Sequence, residues 1–174
     1  MRAINGFDGH AVTRAALRLA LHVFVRPGEL RHAEWLELDF DNGLWSIQAR
    51  ARIASVRGNP LRSCLPSGLS SIREVTGTNK YVFPGFQSIK RHMPENALNG
   101  ALRRLGCSGG EMTSHDFRAM ASRLHNEMGK WYPDAIERQL AHAVRRAYAR
   151  REHWEERVAM MQAWSDSLDG AARS

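Results

Sequence analysis

The chain has 174 residues, which fits one domain able to bury most of the apolar surface that it would expose when unfolded. Its 25 lysines and arginines outnumber its 18 aspartates and glutamates, giving a net charge of +7 and a pI near 10.2, which favours a polyanionic partner such as nucleic acid. All but three of the basic residues are arginine, whose planar guanidinium binds two phosphate oxygens at once; arginine-rich codon usage explains the bias equally well.

Several classes of protein are excluded by what the sequence lacks. Two cysteines, Cys64 and Cys107, are too few for a disulfide framework or a thiolate zinc site and indicate a reducing cytoplasm. No apolar run approaches the roughly 20 residues of a membrane span, and the first residues have no hydrophobic signal core. The acidic residues are dispersed and no HExxH or EF-hand motif occurs, so we expect neither metal nor cofactor.

The first third of the chain predicts two helices and a β-hairpin. Apolar residues at helical spacing predict a helix over residues 12–23, and Pro27 with Gly28 opens a short second helix over 28–35. Alternating apolar residues over 36–40 and 44–47, separated by Asp-Asn-Gly, predict an antiparallel hairpin. Residues 48–68 lack a clear period and predict a ragged strand followed by a loop.

The rest of the chain is predicted to be mostly helical. Helices are expected over residues 69–75, 95–105, 114–128 and 134–141 and from about 143 to 168, with a short apolar strand at 81–83. The sequence therefore predicts a mainly α, mixed α+β domain with a small antiparallel β-sheet.

His115 and Arg118 stand three residues apart at the predicted start of a helix, with Thr113 or Ser114 as N-cap. The free amides and the dipole at a helix start favour an anion, and these two side chains would add directed donors there. On its own an HxxR pair is more often a solvated helix end than a binding site.

Arg26 ends a predominantly apolar run and precedes Pro27. An arginine at the end of a buried segment requires a partner, and Glu29 three positions later is one candidate. A plain Arg26–Glu29 bridge across a helix start stays open beside a phosphate-binding role. Together with His142 and Tyr148, these side chains form a set able to hold a phosphodiester and attack it with a phenol oxygen.

The segments around these residues, taken in order, resemble the catalytic domain of the tyrosine recombinases, the phage-type and island-type integrases. The similar segments run from about residue 5 to 169 and read FVRPGELRHAEW, a hairpin ending in GLW, YVFP, MPENALNGALRRLG, TSHDFRAMASRLHNE, DAIERQLAH, VRRAYAR and ERVAMMQAWSDSLD. The resemblance implies that Arg26 and Arg118 hold the scissile phosphate, that His115 and His142 are the two histidines of the site, and that Tyr148 is the nucleophile.

The chemistry implied by the resemblance is DNA cleavage and rejoining through a 3′-phosphotyrosine. A tyrosine with a pKa near 10 needs a base and nearby cations to attack at neutral pH, and His115 is the expected base. The linkage stores the energy of the broken bond, so the family needs neither ATP nor a metal.

The chain departs from the family pattern at three places. Residues 48–68 contain no lysine where the family carries its proton donor, and Arg52, the nearest cation, is a poor donor. The abrupt loss of similarity there suggests a shifted reading frame, a hypothesis that the adjacent frame of the genomic DNA tests. Asp116 adds a negative charge beside the expected phosphate site.

The third departure is the short spacing of six positions between His142 and Tyr148. In a continuous helix this spacing would turn the two side chains by about 240° and separate them by about 9 Å along the axis. Tyr148 would then leave its own site, or enter that of a neighbouring chain.

We therefore expect residues 1–174 to form a single tyrosine-recombinase-like catalytic domain in the cytoplasm, without the family's amino-terminal arm-binding and core-binding domains. The expected function is site-specific recombination of prophage or other mobile double-stranded DNA by a truncated, impaired integrase. The resemblance also allows a homo-oligomer on DNA through the carboxyl-terminal helix. Two alternatives stay open: a non-catalytic DNA-binding remnant, and a helical protein without a nucleic-acid role.

Overall fold

The structure, a computed structural model, describes residues 2–48, 56–60, 67–140 and 153–173. Within these ranges it is mainly helical and carries two small antiparallel sheets, which confirms the predicted fold class. The helices are α1 (Arg2–Asn5), α2 (Ala11–Val23), α3 (Pro27–Arg31), α4 (Ser67–Thr76), α5 (Ala97–Arg104), α6 (Asp116–Met128), α7 (Pro133–Leu140) and α8 (Trp154–Arg173). The strands are β1 (Leu38–Asp39), β2 (Leu44–Gln48), β3 (Val56–Pro60), β4 (Pro84–Gly85) and β5 (Ser88–His92).

Helix α2 lies at the centre of the fold. Its predicted apolar stripe is buried, and the helix contacts α1, α3, α4, α5, α6 and α8. Leu17 and Leu19 on this helix are almost completely enclosed. The core therefore surrounds the helix that leads directly into the segment carrying Arg26.

The predicted hairpin is present as β1 and β2, and β3 extends it to a three-stranded antiparallel sheet in the order β1-β2-β3. Trp45 on β2 is fully buried. The predicted first strand begins too early, because Leu36 lies in a 3₁₀ turn over Trp35–Glu37 and is 96% exposed. The indole of Trp35 donates to the carbonyl of Thr76 at 2.9 Å and fixes this turn against α4.

The second sheet was not predicted. It is a two-stranded ribbon of β4 and β5, whereas the strand expected at residues 81–83 is only an isolated bridge between Tyr81 and Glu34. Residues 88–92 form a strand although most of them are exposed, so the sequence lacks the apolar alternation that would have revealed it.

The last helices enclose the core from one side. α6 ends at Gly129, whose φ of 60° is the left-handed conformation that commonly ends a helix. α8 packs against α2 and α7 and buries Met160, Met161 and Trp164. The predicted final helix is thus confirmed from Trp154 onward, and its expected beginning at residues 143–152 lies outside the described residues.

Candidate active site

Arg26 occupies the junction between α2 and α3. Pro27 starts α3, and the backbone amide of Arg26 donates to the Glu29 carboxylate at 2.8 Å. The Arg26 guanidinium also donates to Glu29, at 3.3 Å, and its side chain remains 49% exposed. The bridge considered from the sequence therefore exists, and it holds an exposed arginine at a defined place beside the helix start.

Arg118, in contrast, is buried inside the fold. It lies on the first turn of α6 with 5% exposure. Its Nη1 donates to the carbonyl of Phe24 at 2.9 Å, and its Nη2 donates to the carbonyl of Leu140. A single guanidinium therefore joins the end of α2, the start of α6 and the end of α7.

This arrangement brings three of the predicted motif segments together. Phe24 precedes Arg26 by two residues, so the Cα atoms of the two residues lie within about 7 Å of each other. Leu140 is the last residue of α7 and stands two positions before His142 in the sequence. The segments that carry Arg26 and Arg118 thus converge in space, although 94 positions separate Phe24 from Arg118.

His115 stands at the cap position of α6, one helical turn before Arg118. Its side chain is exposed and makes no capping hydrogen bond, whereas the backbone amide of Arg118 donates to its carbonyl at 3.2 Å. The positive end of the α6 dipole therefore lies next to an exposed imidazole. The helix begins at Asp116, one or two residues later than expected from an N-cap at Thr113 or Ser114.

The Asp116 side chain is bound to the turn that precedes α6. Its carboxylate accepts hydrogen bonds from the Thr113 amide at 2.7 Å and from the Thr113 hydroxyl at 2.8 Å. These two hydrogen bonds hold the pKa of Asp116 below its ordinary value. The carboxylate of Asp116, which the sequence places beside the expected phosphate site, is therefore hydrogen-bonded to Thr113. It stabilises the turn before α6.

The remaining predicted site residues, His142 and Tyr148, lie outside the described residues, as does Arg52. Their roles, and the effect of the short spacing between the histidine and the tyrosine, remain predictions. Among the described residues, no group of three or more histidine, cysteine, aspartate or glutamate side chains is arranged to hold a metal ion. None of the described helices has the length and apolar character that a membrane crossing requires.

Sequence reasoning missed Phe24, which contacts a residue of the candidate site. Its φ of 50° and ψ of 21° place it in the left-handed conformation, and its carbonyl is one of the two that Arg118 binds. Glycine and asparagine are the usual local signals for this conformation, and a phenylalanine gives none. Only the tertiary structure reveals this contact.

Comparison with known proteins agrees with this architecture. The profile of the phage integrase family matches residues 1–151. The integrase of Enterobacteria phage P4 is 40% identical over 185 residues, covering 95% of this chain and 42% of the relative. The prophage integrase IntA of Escherichia coli K12 is 38% identical over 167 residues, covering 91% of this chain and 39% of the relative. The chain thus spans about two fifths of the length of these relatives.

Solved structures show the same fold at low identity. The catalytic core of lambda integrase superposes with a TM-score of 0.61 at 16% identity, over 84% of this chain and 89% of that core. The Tn1549 transposon integrase in complex with circular intermediate DNA gives a TM-score of 0.62 at 15% identity, over 97% of this chain and 61% of that one. The predicted resemblance is confirmed, and the chain belongs to the phage integrase family.

Proposed function

We propose that the chain is the catalytic domain of a site-specific DNA recombinase that cuts one strand with Tyr148 and rejoins it through a 3′-phosphotyrosine. The observation that carries the proposal is the pair of hydrogen bonds from Arg118 to the carbonyls of Phe24 and Leu140. These hydrogen bonds bring together the segments that carry Arg26, His115 and Arg118, which match the two arginines and the HxxR histidine of the family. The DNA-bound Tn1549 integrase of the same fold supports a DNA substrate.

The described side chains fit distinct parts of this reaction. Arg26 offers a half-exposed guanidinium fixed by Glu29, and Arg118 lies deeper, so a phosphate would meet one at the rim and the other at the base of the site. Such fixed donors stabilise the negative charge that develops on the non-bridging oxygens. The exposed imidazole of His115 would accept the phenol proton, and His142 would add a further donor.

The proposed substrate also suggests where and in what form the chain acts. We infer that the chain acts in the cytoplasm, because the relatives that it matches include prophage integrases of Escherichia coli, whose DNA lies there. We infer a homo-oligomer on DNA that forms through α8, on which Val158 and Leu168 remain partly exposed beside the buried Met161. Sedimentation of the chain with a DNA duplex tests this inference, since Val158→Glu should reduce the number of chains bound to each duplex.

Covalent trapping tests the catalytic part of the proposal. Duplexes cut from the DNA flanking the gene and nicked near the expected cleavage point lose the short 5′-hydroxyl strand after attack, so the adduct accumulates. We expect an adduct with the wild-type chain and none with Tyr148→Phe. Arg118→Ala should slow adduct formation about 100-fold or more because one preorganised donor is lost.

Tyr132→Phe is the matched control, because this tyrosine is 68% exposed and lies outside the proposed site. It should leave the yield of adduct unchanged. Salt-sensitive binding without an adduct would instead identify a non-catalytic DNA-binding remnant. Absence of both binding and adduct would contradict the proposal.

A further inference from the structure

Phe24 has a backbone conformation that its own sequence does not favour. It is 1% exposed, ends α2 and adopts φ 50°, a region that bulky residues other than glycine seldom enter. Such a conformation persists only where the surrounding structure enforces it. The carbonyl of Phe24 accepts a hydrogen bond from Arg118, so whatever enforces this conformation also directs an arginine of the proposed site.

Helix α6 contacts Phe24 at two points, its carbonyl and its ring. Arg118 and His125 stand seven residues apart on this helix, about two turns, and therefore share one face. Arg118 binds the Phe24 carbonyl, and the His125 ring meets the Phe24 ring edge-on with the centroids 5.5 Å apart. His125 is 2% exposed, and neither of its ring nitrogens has a hydrogen-bond partner within the described parts of the chain. Its ring therefore acts here through packing.

Helix α8 supplies the third ring of the cluster. The Trp164 ring lies 5.4 Å from that of Phe24 and 5.2 Å from that of His125, again in edge-on or tilted geometry. Its indole N–H donates to the carbonyl of Leu21 at 2.8 Å, on the last turn of α2. Three rings thus contact one another, and the indole is fixed to the helix that Phe24 ends.

We propose that Phe24, His125 and Trp164 form a three-ring clamp that positions Arg118. The clamp holds the Phe24 backbone in its left-handed conformation, so that the Phe24 carbonyl fixes the guanidinium for the phosphate. The three are positioning residues, and docking of α8 on its own chain completes the clamp. This inference rests on the proposed function only in assigning Arg118 to the phosphate; the clamp itself is independent of DNA.

The test follows the Arg118 guanidinium directly by NMR. In the 174-residue chain labelled with ¹⁵N-arginine, Arg118→Lys identifies the Arg118 signal by its loss. In the wild type we expect separate Nη signals, because hydrogen bonds to two carbonyls block rotation of the guanidinium. In Trp164→Ala and in Phe24→Gly these signals should merge into one averaged signal. Each variant removes one ring, so the guanidinium becomes free to rotate. Trp164→Phe keeps a ring without the indole N–H and should restore separate signals.

Met161→Ala is the matched control, because Met161 is fully buried on the same helix outside the cluster. It should leave the Arg118 signals separate although it creates a cavity in α8. Glycine populates left-handed and right-handed backbone conformations about equally, so Phe24→Gly releases the carbonyl without strain and decides the matter if Trp164→Ala does not fold. Three outcomes would each overturn the inference. They are averaged Arg118 signals in the wild type, separate signals after loss of a ring, and averaged signals in Met161→Ala.

A second measurement distinguishes this inference from the proposed function. Where the wild type forms a covalent adduct, Trp164→Ala should slow adduct formation about 100-fold, as expected for a reacting group displaced by about 1 Å, while the DNA dissociation constant changes little. If the NMR signals behave as expected but the chain neither binds nor cuts DNA, the proposed function is refuted and the clamp is not. Adduct formation unaffected by loss of the clamp would refute the inference alone.

Discussion

Arg26 and Arg118, the two arginines assigned to one phosphate, lie in very different surroundings. Arg26 is half-exposed and pairs with a carboxylate that solvent also reaches, whereas Arg118 is buried and donates to two backbone carbonyls. Their substitutions should therefore separate binding from stability. A lysine cannot reproduce the planar fork of a guanidinium, and a buried carbonyl left without its donor is costly.

We expect Arg118→Lys to lower the free energy of unfolding by about 1–3 kcal/mol, since at least one buried carbonyl loses its partner. Arg26→Lys should lower it by less than about 1 kcal/mol, because exposed ion pairs contribute little. Urea denaturation of both variants measures the difference. The exposed Arg123, paired with Glu127 on α6, provides the control Arg123→Lys, which should be nearly neutral. Equal losses at Arg26 and Arg118 would contradict the described burial.

His125 makes the stability of the fold depend on pH. Burial lowers its pKa to about 4, from an ordinary value of 6.5. The unfolded chain therefore binds a proton that the folded chain rejects, so stability is complete above about pH 6.5 and falls as the pH drops towards 4. The loss should reach roughly 3 kcal/mol at most.

The variant His125→Leu has a similar side-chain volume and cannot titrate. Urea denaturation at about pH 7.5 and about pH 5 should show a smaller loss of stability on acidification in this variant than in the wild type. Part of the pH dependence should remain, because burial also lowers the pKa of His22, against a raising effect of Asp169. An identical pH dependence in both proteins would show that His125 accepts its proton in the folded state.

Single residues differ in how far the sequence could predict them. The three-residue spacing of His115 and Arg118 was enough to place them at the start of one helix, because helical geometry alone fixes that relation. The direction of the Asp116 carboxylate and the backbone of Phe24 could not be predicted, since one depends on a turn with Thr113 and the other on rings far away in the sequence.

Among the elements, the β4–β5 ribbon carries a basic surface beside α3, the helix that Arg26 precedes. The His92 ring lies 3.8 Å from the His32 ring, and Arg31 donates to the carbonyl of Met93 at 3.1 Å, so the ribbon is fastened to the end of α3. Lys90 and Arg91 on β5 are exposed. A two-stranded ribbon attached to the helix that Arg26 precedes is well placed to contact phosphates beside the cleavage point.

We expect the double substitution of Lys90 and Arg91 to glutamine to reduce the salt dependence of DNA binding. Each lost phosphate contact should lower the slope of log affinity against log salt by about 0.9, so the full effect is about 1.8. Fluorescence anisotropy at several salt concentrations measures this slope. The matched control replaces Arg123 and Lys130, two exposed cations on and just after the distal half of α6, and should leave the slope unchanged.

The elements themselves were predicted according to how strongly they are amphipathic. α2 and α6 emerged from their apolar spacing because each buries one stripe against the core. The β4–β5 ribbon did not, since Phe86 and Ile89 are each 62% exposed and bury no regular face. The 3₁₀ turn at Leu36 was predicted as strand because Leu36 continues the alternation of Leu38 and Phe40, which has the period of a strand.

At the scale of the whole molecule, α8 is a structural part of the core. Met160, Met161 and Trp164 are all buried, and burial of each stabilises the fold by about 1.5–3 kcal/mol. Their sum is comparable with the whole net stability of an ordinary domain, about 5–15 kcal/mol. We therefore expect a chain ending before Trp154 to lose its cooperative unfolding transition, as followed by circular dichroism during heating.

The control for this truncation removes only residues 170–174, beyond the buried part of α8. This shorter deletion should retain a cooperative transition within a few degrees of the wild type. A cooperative transition in the chain that ends before Trp154 would show that the core closes without α8.

The general architecture was predictable because composition and periodicity determine which segments bury apolar faces. The joining of distant segments was not. The sequence gives no indication that Arg118 binds Phe24 or that Trp164 binds Leu21, since both contacts arise only when several helices have assembled around α2. The motifs predict the candidate site, and only the structure shows the contacts that hold Arg26 and Arg118.

The hydrogen bond between Trp164 and Leu21 spans 143 positions, which affects how the chain is made. A ribosome adding about 5–20 amino acids per second needs roughly 7–29 s to translate from one to the other. During that interval the nascent polypeptide exposes an apolar surface around Leu21 and Phe24, which α8 covers only after it has been synthesised. Chaperones that shield such surfaces should therefore govern the yield of newly synthesised protein more strongly than its final stability does.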